Sequence, residues 1–156
     1  MDNWIWGLSL IVLTIAIHTI GVTSMVSVLH LIRLRLQTHS LRLPHVFTIV
    51  IATITTMGLL LAVLHAIEAA LWAAAYLWVG ALGSADAAIL YSVDSMATRG
   101  ASGVVLQPHW QILGALEAAD GMVLFGISTA FMFTVMQFYY QRLMLRTPSD
   151  DSIGTG

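Results

Sequence analysis

Apolar residues gather along this chain in three long blocks, from about Trp4 to Ile32, Val46 to Leu82 and Trp110 to Tyr140. Each exceeds the roughly 20 residues a helix needs to cross hydrocarbon, so the pattern predicts three transmembrane helices, tilted or extended past the headgroups. Pro44, Pro108 and Pro148 fall outside these blocks, as helix boundaries should. Between the second and third blocks lies a shorter apolar run, Ala87 to Ala97, then Thr98 to Gly103, Val104 to Leu106, Gln107, Pro108 and Trp110. It is too short to span. Its place between two long segments predicts a short helix that dips into the membrane and returns on the same side.

Composition agrees with this class. The 156 residues are 58% hydrophobic and 9% charged, with a mean hydropathy of +0.87, far from the roughly 25% charged residues of soluble domains. The absence of cysteine excludes disulfides, thiolate metal sites and cysteine nucleophiles. A net charge of -2 indicates no partner class. No cleavable signal peptide is expected: Met1 to Ile5 carries Asp2 and no cation, and the apolar block that follows is too long.

All six cationic residues are arginines. Arg33, Arg35 and Arg42 lie between blocks one and two, Arg142 and Arg146 follow block three, and Arg99 stands alone in the short loop. With three spans and a re-entrant loop, five of the six fall on one face. The positive-inside rule makes that face cytoplasmic, with the amino terminus outside and the carboxyl terminus inside. A fourth span would separate the final pair from the others, so the charges independently favour re-entry. Trp4, Trp6, Trp78 and Trp110 fall near the outer boundary as aromatic anchors. The polar tail from Thr147 carries no motif and is expected to be disordered.

His65, Glu68, Trp72, Ala73 and Tyr76, the stretch Ala88 to Leu106, Trp110, Leu113 to Glu117, Gly121, and Phe125 to Phe131 carry a resemblance. The chain is similar, over roughly His65 to Phe133, to small bacterial members of the potassium channel family. That resemblance implies an all-α membrane fold: three transmembrane helices plus a re-entrant pore helix and filter loop, assembled as a homotetramer because one loop supplies a quarter of a filter. Residues 1–45 would form an extra leading helix and cytoplasmic link, 46–142 the pore domain and 143–156 a short tail.

The family filter reads Thr-Val-Gly-Tyr-Gly-Asp. A gapless match places Thr98, Arg99, Gly100, Ala101, Ser102 and Gly103 on it. In the family, four such strands turn carbonyls to the axis in place of the ion's hydration shell. Here the second glycine is Ser102, the tyrosine is Ala101 and the mouth acid is Gly103, so a rigid potassium filter is not expected. Arg99 has two readings. It pairs with Asp94, five residues earlier, because an unpartnered buried cation is costly, or it rings the axis as in an anion pore.

Glu68, Glu117 and Asp120 fall in the outer half of the spans, where exposure to lipid costs about 2.5 to 3.5 kcal/mol on insertion scales. With Asp94 they read as filter support, through hydrogen bonds to the pore helix, His65 or Arg99, with Asp120 an alternative partner for Arg99. On block three, Met122, Phe125, Thr129 and Phe133 recur at helical spacing. They read either as ordinary packing or, by the resemblance, as the inner cavity and gate, with Gly121 or Gly126 as a bending point. Ser128, Thr129 and Ala130 would let helices approach closely.

His18 and His30 lie on different faces of one helix, so they cannot hold one ion together. His65 and Glu68 share a face, but a carboxylate-bridged metal needs several more ligands from facing helices. No metal or other cofactor is therefore expected. No nucleophile and base stand out, so an enzyme is not expected, and no basic patch points to nucleic acid. The expectation is an ion channel-like, multi-pass protein of a bacterial cytoplasmic membrane. It passes a monovalent ion without strict potassium selectivity, weakly selective or anion-permeable, with its own copies and lipid as partners. The alternative is a nonconducting structural or modulatory protein with a collapsed pore.

Overall fold

A computed structural model describes residues 2–37, 43–100 and 103–144. Every regular element among them is helical: α1 (Asp2–Gln37), α2 (Leu43–Trp78), α3 (Ala85–Met96) and α4 (Gln111–Met144), with a 3-10 turn at Pro108–Trp110 entering α4. Three of these helices are long and apolar enough to cross a membrane, over Asn3–Ile32, Phe47–Trp78 and Pro108–Tyr140. Their outer faces expose large apolar side chains such as Val12, Ile20, Leu59 and Val123, a surface suited to lipid rather than water.

Hydropathy carries the second span to Leu82, but α2 ends at Trp78. The cause is a backbone motif. Gly80 takes a left-handed φ of +70°, its N–H donates to the Leu77 carbonyl at 3.2 Å, and the Ala81 N–H donates to Tyr76 at 2.9 Å. That is the Schellman pattern, which satisfies carbonyls the helix would leave bare. Pro44 lies within the first turn of α2 rather than outside it, where its missing N–H has no helical partner to lose.

Chain reversal then starts α3. The Ser84 hydroxyl accepts from the Ala87 N–H at 3.2 Å and Asp86 occupies the first turn, both favourable at a helix N-terminus. The short helix wedges between α2 and α4 and contacts both. Its C-terminal end presses on α4 at Gly121, where an added Cβ would lie 2.5 Å from the Met96 carbonyl oxygen.

The first helix packs most extensively on α4 and also on α2. Asn3 donates to the His109 carbonyl and Gly7 faces Leu113 and Leu116. Thr14 meets Asp120 and His18 meets Ser128, so α1 and α4 run the same way. Antiparallel α2 meets α1 through His18 and Glu68 and through Leu64 against Gly21. Two apolar clusters result, one around Met57, Leu61, Phe131 and Val135, the other around Trp72, Tyr76, Ala88 and Leu113. Buried polar side chains lie between them along all three long helices: Thr14, His18, Glu68, Asp120 and Ser128.

Candidate functional site

On α2, His65, Glu68, Trp72 and Tyr76 follow one another at i, i+3, i+7 and i+11, which is one face of a helix. On α4, Glu117, Asp120, Leu124 and Ser128 repeat the same spacing. Because the two helices are antiparallel, the stripes meet as rungs. Tyr76 donates to Glu117 at 2.6 Å, the Trp72 indole N–H to Asp120 at 3.0 Å, and His65 Nε2 lies 3.0 Å from the Ser128 hydroxyl. At the remaining level α4 offers only Leu124, and Glu68 instead meets His18 of α1, Nδ1 to Oε1 at 2.9 Å.

The outer rung fastens α3. The Ser92 hydroxyl donates to the Glu117 carboxylate and lies 2.7 Å from the Ala69 carbonyl, while Ser95 donates to the Gly114 carbonyl at 3.1 Å. Glu117 thus supports the short helix, in company with Tyr76. Asp120 is held differently from the pairing with Arg99 read in the sequence: its Oδ2 accepts from Thr14 at 2.7 Å as well as from Trp72. The reason is register, which puts Asp120 about two and a half turns from the Gln111 start of α4 and level with Thr14. Its other oxygen, Oδ1, is buried and accepts no hydrogen bond from the described residues.

The innermost level gathers four side chains from three helices. His18 and Glu68 are fully buried. The Ser128 hydroxyl lies 3.1 Å from His18 Nε2 as well as 3.0 Å from His65 Nε2, and the two imidazole rings are 5.1 Å apart. His65 Nδ1 approaches Glu68 Oε2 to 3.3 Å, yet that oxygen accepts no hydrogen bond from the described residues. Sequence spacing had dismissed metal binding for want of ligands on facing helices. The fold supplies one, His18 of α1: ligand atoms of His18, His65 and Glu68 all lie within 4.8 Å of one another. His30 stands apart, lining a groove with Val26, Leu29 and Phe138.

At its other end α3 closes with a second Schellman turn. The Arg99 N–H donates to the Asp94 carbonyl and the Thr98 N–H to Ser95, each at 2.9 Å, with Thr98 at φ +55° in the position glycine usually takes. The turn folds Arg99 back over the helix and brings its Nη1 3.5 Å from the buried Asp94 carboxylate. An ion pair therefore occupies the place where such turns usually make an apolar contact. Gly100 and Gly103 both take left-handed φ, +76° and +83°. Ala101 and Ser102 lie outside the described residues.

Met122, Phe125 and Phe133 are 65%, 68% and 56% exposed on the single chain, and Thr129 and Gly126 are exposed beside them. They form the face of α4 least covered by the other helices, with Phe125 at its edge lining a groove shared with Ala62, His65 and Ala69 of α2. Helix α4 runs unbroken through Gly121 and Gly126. Gly121 has a packing reason of its own in the Met96 carbonyl, whereas Gly126 has open space around it.

No family model matches the chain, and neither the curated proteins nor the solved structures include a match to it. Sequence reasoning missed Thr14, set His18 aside because His30 lies on another face of its helix, and read Ser128 only as a small residue. The signal was present as matched polar stripes on two segments, with Thr14 and His18 one turn apart on a third. What it lacked was the register that joins them.

Proposed function

We propose that the chain is one subunit of a homotetrameric pore-loop protein of the potassium channel type, in a bacterial cytoplasmic membrane with its amino terminus outside. It passes monovalent ions without strict potassium selectivity. The observation that carries this reading is the wedge: a 12-residue helix between two long membrane-length helices, followed by a loop that returns to Pro108 at the same end of the bundle. A re-entrant pore helix needs that arrangement, with its C-terminal end and the following residues presented to an axis.

Two further features support it. The exposed Met122, Phe125, Thr129 and Phe133 stripe is where an inner cavity or subunit contact would lie. Grooves of about 360 Å³ beneath α3, between α2 and α4, and about 340 Å³ beside Tyr91, Ser95 and Gly114 are of a size to receive side chains of neighbouring copies. Within this reading the Asp94 and Arg99 contact favours a second version, in which Arg99 is drawn from the axis and the pore is held shut.

Flux through purified protein in liposomes tests both, with potassium, sodium and chloride gradients applied separately to wild type and Arg99→Ala. Chloride flux lost on substitution makes Arg99 a pore-lining residue. Silence in wild type with leak in the variant makes it a seal. Strictly potassium-selective flux would sink the proposal.

A further inference from the structure

One edge of the His18, Glu68, His65 and Ser128 ring lacks a hydrogen bond among the described residues. A neutral imidazole donates from one nitrogen only, and Ser128 has one proton. The three edges with hydrogen-bond geometry are Glu68 to His18 at 2.9 Å, His18 to Ser128 at 3.1 Å and Ser128 to His65 at 3.0 Å. Those three protons satisfy these edges and no more. The fourth edge, His65 Nδ1 against Glu68 Oε2 at 3.3 Å, is then lone pair against lone pair, in a fully buried residue whose Oε2 accepts no hydrogen bond from the described residues. Leaving such a group bare is costly, and either a further proton or a metal ion would satisfy it.

We propose that His18, His65 and Glu68 bind a divalent transition-metal ion of the zinc class at this level of the bundle. The donors are two imidazoles and a carboxylate, a set suited to zinc rather than to calcium or magnesium, which take oxygen ligands. At bonds of about 2.0 to 2.1 Å, ligand atoms stand about 2.9 Å apart at right angles and about 3.4 Å apart in a tetrahedron. The observed edges run to different carboxylate oxygens, 2.9 Å from His18 to Oε1 and 3.3 Å from His65 to Oε2, and one ligand atom from each residue lies within 4.8 Å of the others, so small side-chain shifts bring the three onto one ion. A proton must lie near the line between donor and acceptor, whereas a metal sits off it, and Oε2 lacks hydrogen-bond alignment towards His65.

With metal on both Nδ1 atoms, both Nε2–H groups donate to the two lone pairs of Ser128. That fixes each tautomer in the way outer-shell partners of zinc histidines do. His65 provides the access path: its side chain is 29% exposed and lines the 360 Å³ groove beside Met96 and Phe125. Three protein ligands and an open position complete the site. None of this depends on the pore reading, since it needs only the packing of α1, α2 and α4.

The test uses the full chain in detergent, stripped by chelator and titrated with Zn²⁺ alone. Metal content after desalting and the unfolding midpoint are the readouts, with no flux involved. One Zn²⁺ per chain and a raised midpoint are expected. Ser128→Ala should weaken binding about 10- to 100-fold, and His65→Gln and Glu68→Gln by at least as much. Absence of Zn²⁺ binding in wild type, or equal binding in His65→Gln, would overturn the site. Should Glu68→Gln fail to fold, X-ray absorption of the wild-type complex decides: two imidazoles support the site, and none refutes it.

Discussion

Thr98 holds a conformation that a β-branched residue adopts at a cost of about 1 to 2 kcal/mol, because its φ of +55° ends α3. Thr98→Gly should therefore raise stability, by roughly 1 kcal/mol after allowing for the freer unfolded chain, as read by denaturant unfolding in detergent. Arg99 is set in place by the same turn, so the substitution should leave its contact with Asp94 intact. Tyr76 is a contrasting case, since its hydroxyl serves a buried carboxylate and has no route to water. Tyr76→Phe should cost about 0.5 to 2 kcal/mol, the range of interhelical hydrogen bonds in membranes. A null effect would mean that Glu117 finds another donor. Gly121→Ala should cost about 1 to 3 kcal/mol, because the atom it meets at 2.5 Å is backbone and cannot swing aside.

At the scale of elements, both ends of α3 are decided by a few side chains and one turn. Ser84→Ala removes the cap on the Ala87 N–H and should cost about 0.5 to 2 kcal/mol, visible as faster hydrogen exchange at the first amides of α3. Exchange elsewhere in the bundle should be unchanged, because the cap is local. Helix α2 is likewise stopped by Gly80 rather than by loss of hydrophobicity. Apolar length sets how far a helix could run, and backbone chemistry sets where it stops.

For the whole molecule, the placement of α1 decides whether the inner polar cluster exists, since His18 comes from no other element. The chain has no cysteine, so a cross-link can test that placement directly. An ideal Cβ at Gly7 lies 3.4 Å from Leu116 Cβ, close to the separation a disulfide needs. The double substitution Gly7→Cys with Leu116→Cys also removes the leucine tip that crowds Gly7. Oxidation should give an intramolecular disulfide, detected by mass after proteolysis. Failure to form it would remove α1 from α4 and, with it, the contacts of Thr14 with Asp120 and of His18 with Ser128.

The sequence alone determined that this is an all-helical chain with three membrane-length segments and a short helix between the last two. Block length and proline placement report directly on local chain physics. It also marked Glu68, Glu117 and Asp120 as groups that must be satisfied, because a carboxylate in hydrocarbon is costly wherever its partner lies. Which partner each acid has was decided only by tertiary structure. Asp120 takes Thr14 and Trp72 instead of Arg99, and Glu68 takes His18 where α4 presents Leu124. Those pairings depend on the antiparallel register of α2 with α4 and the parallel docking of α1. Such offsets are fixed by packing between distant segments, and no pattern within one segment encodes them.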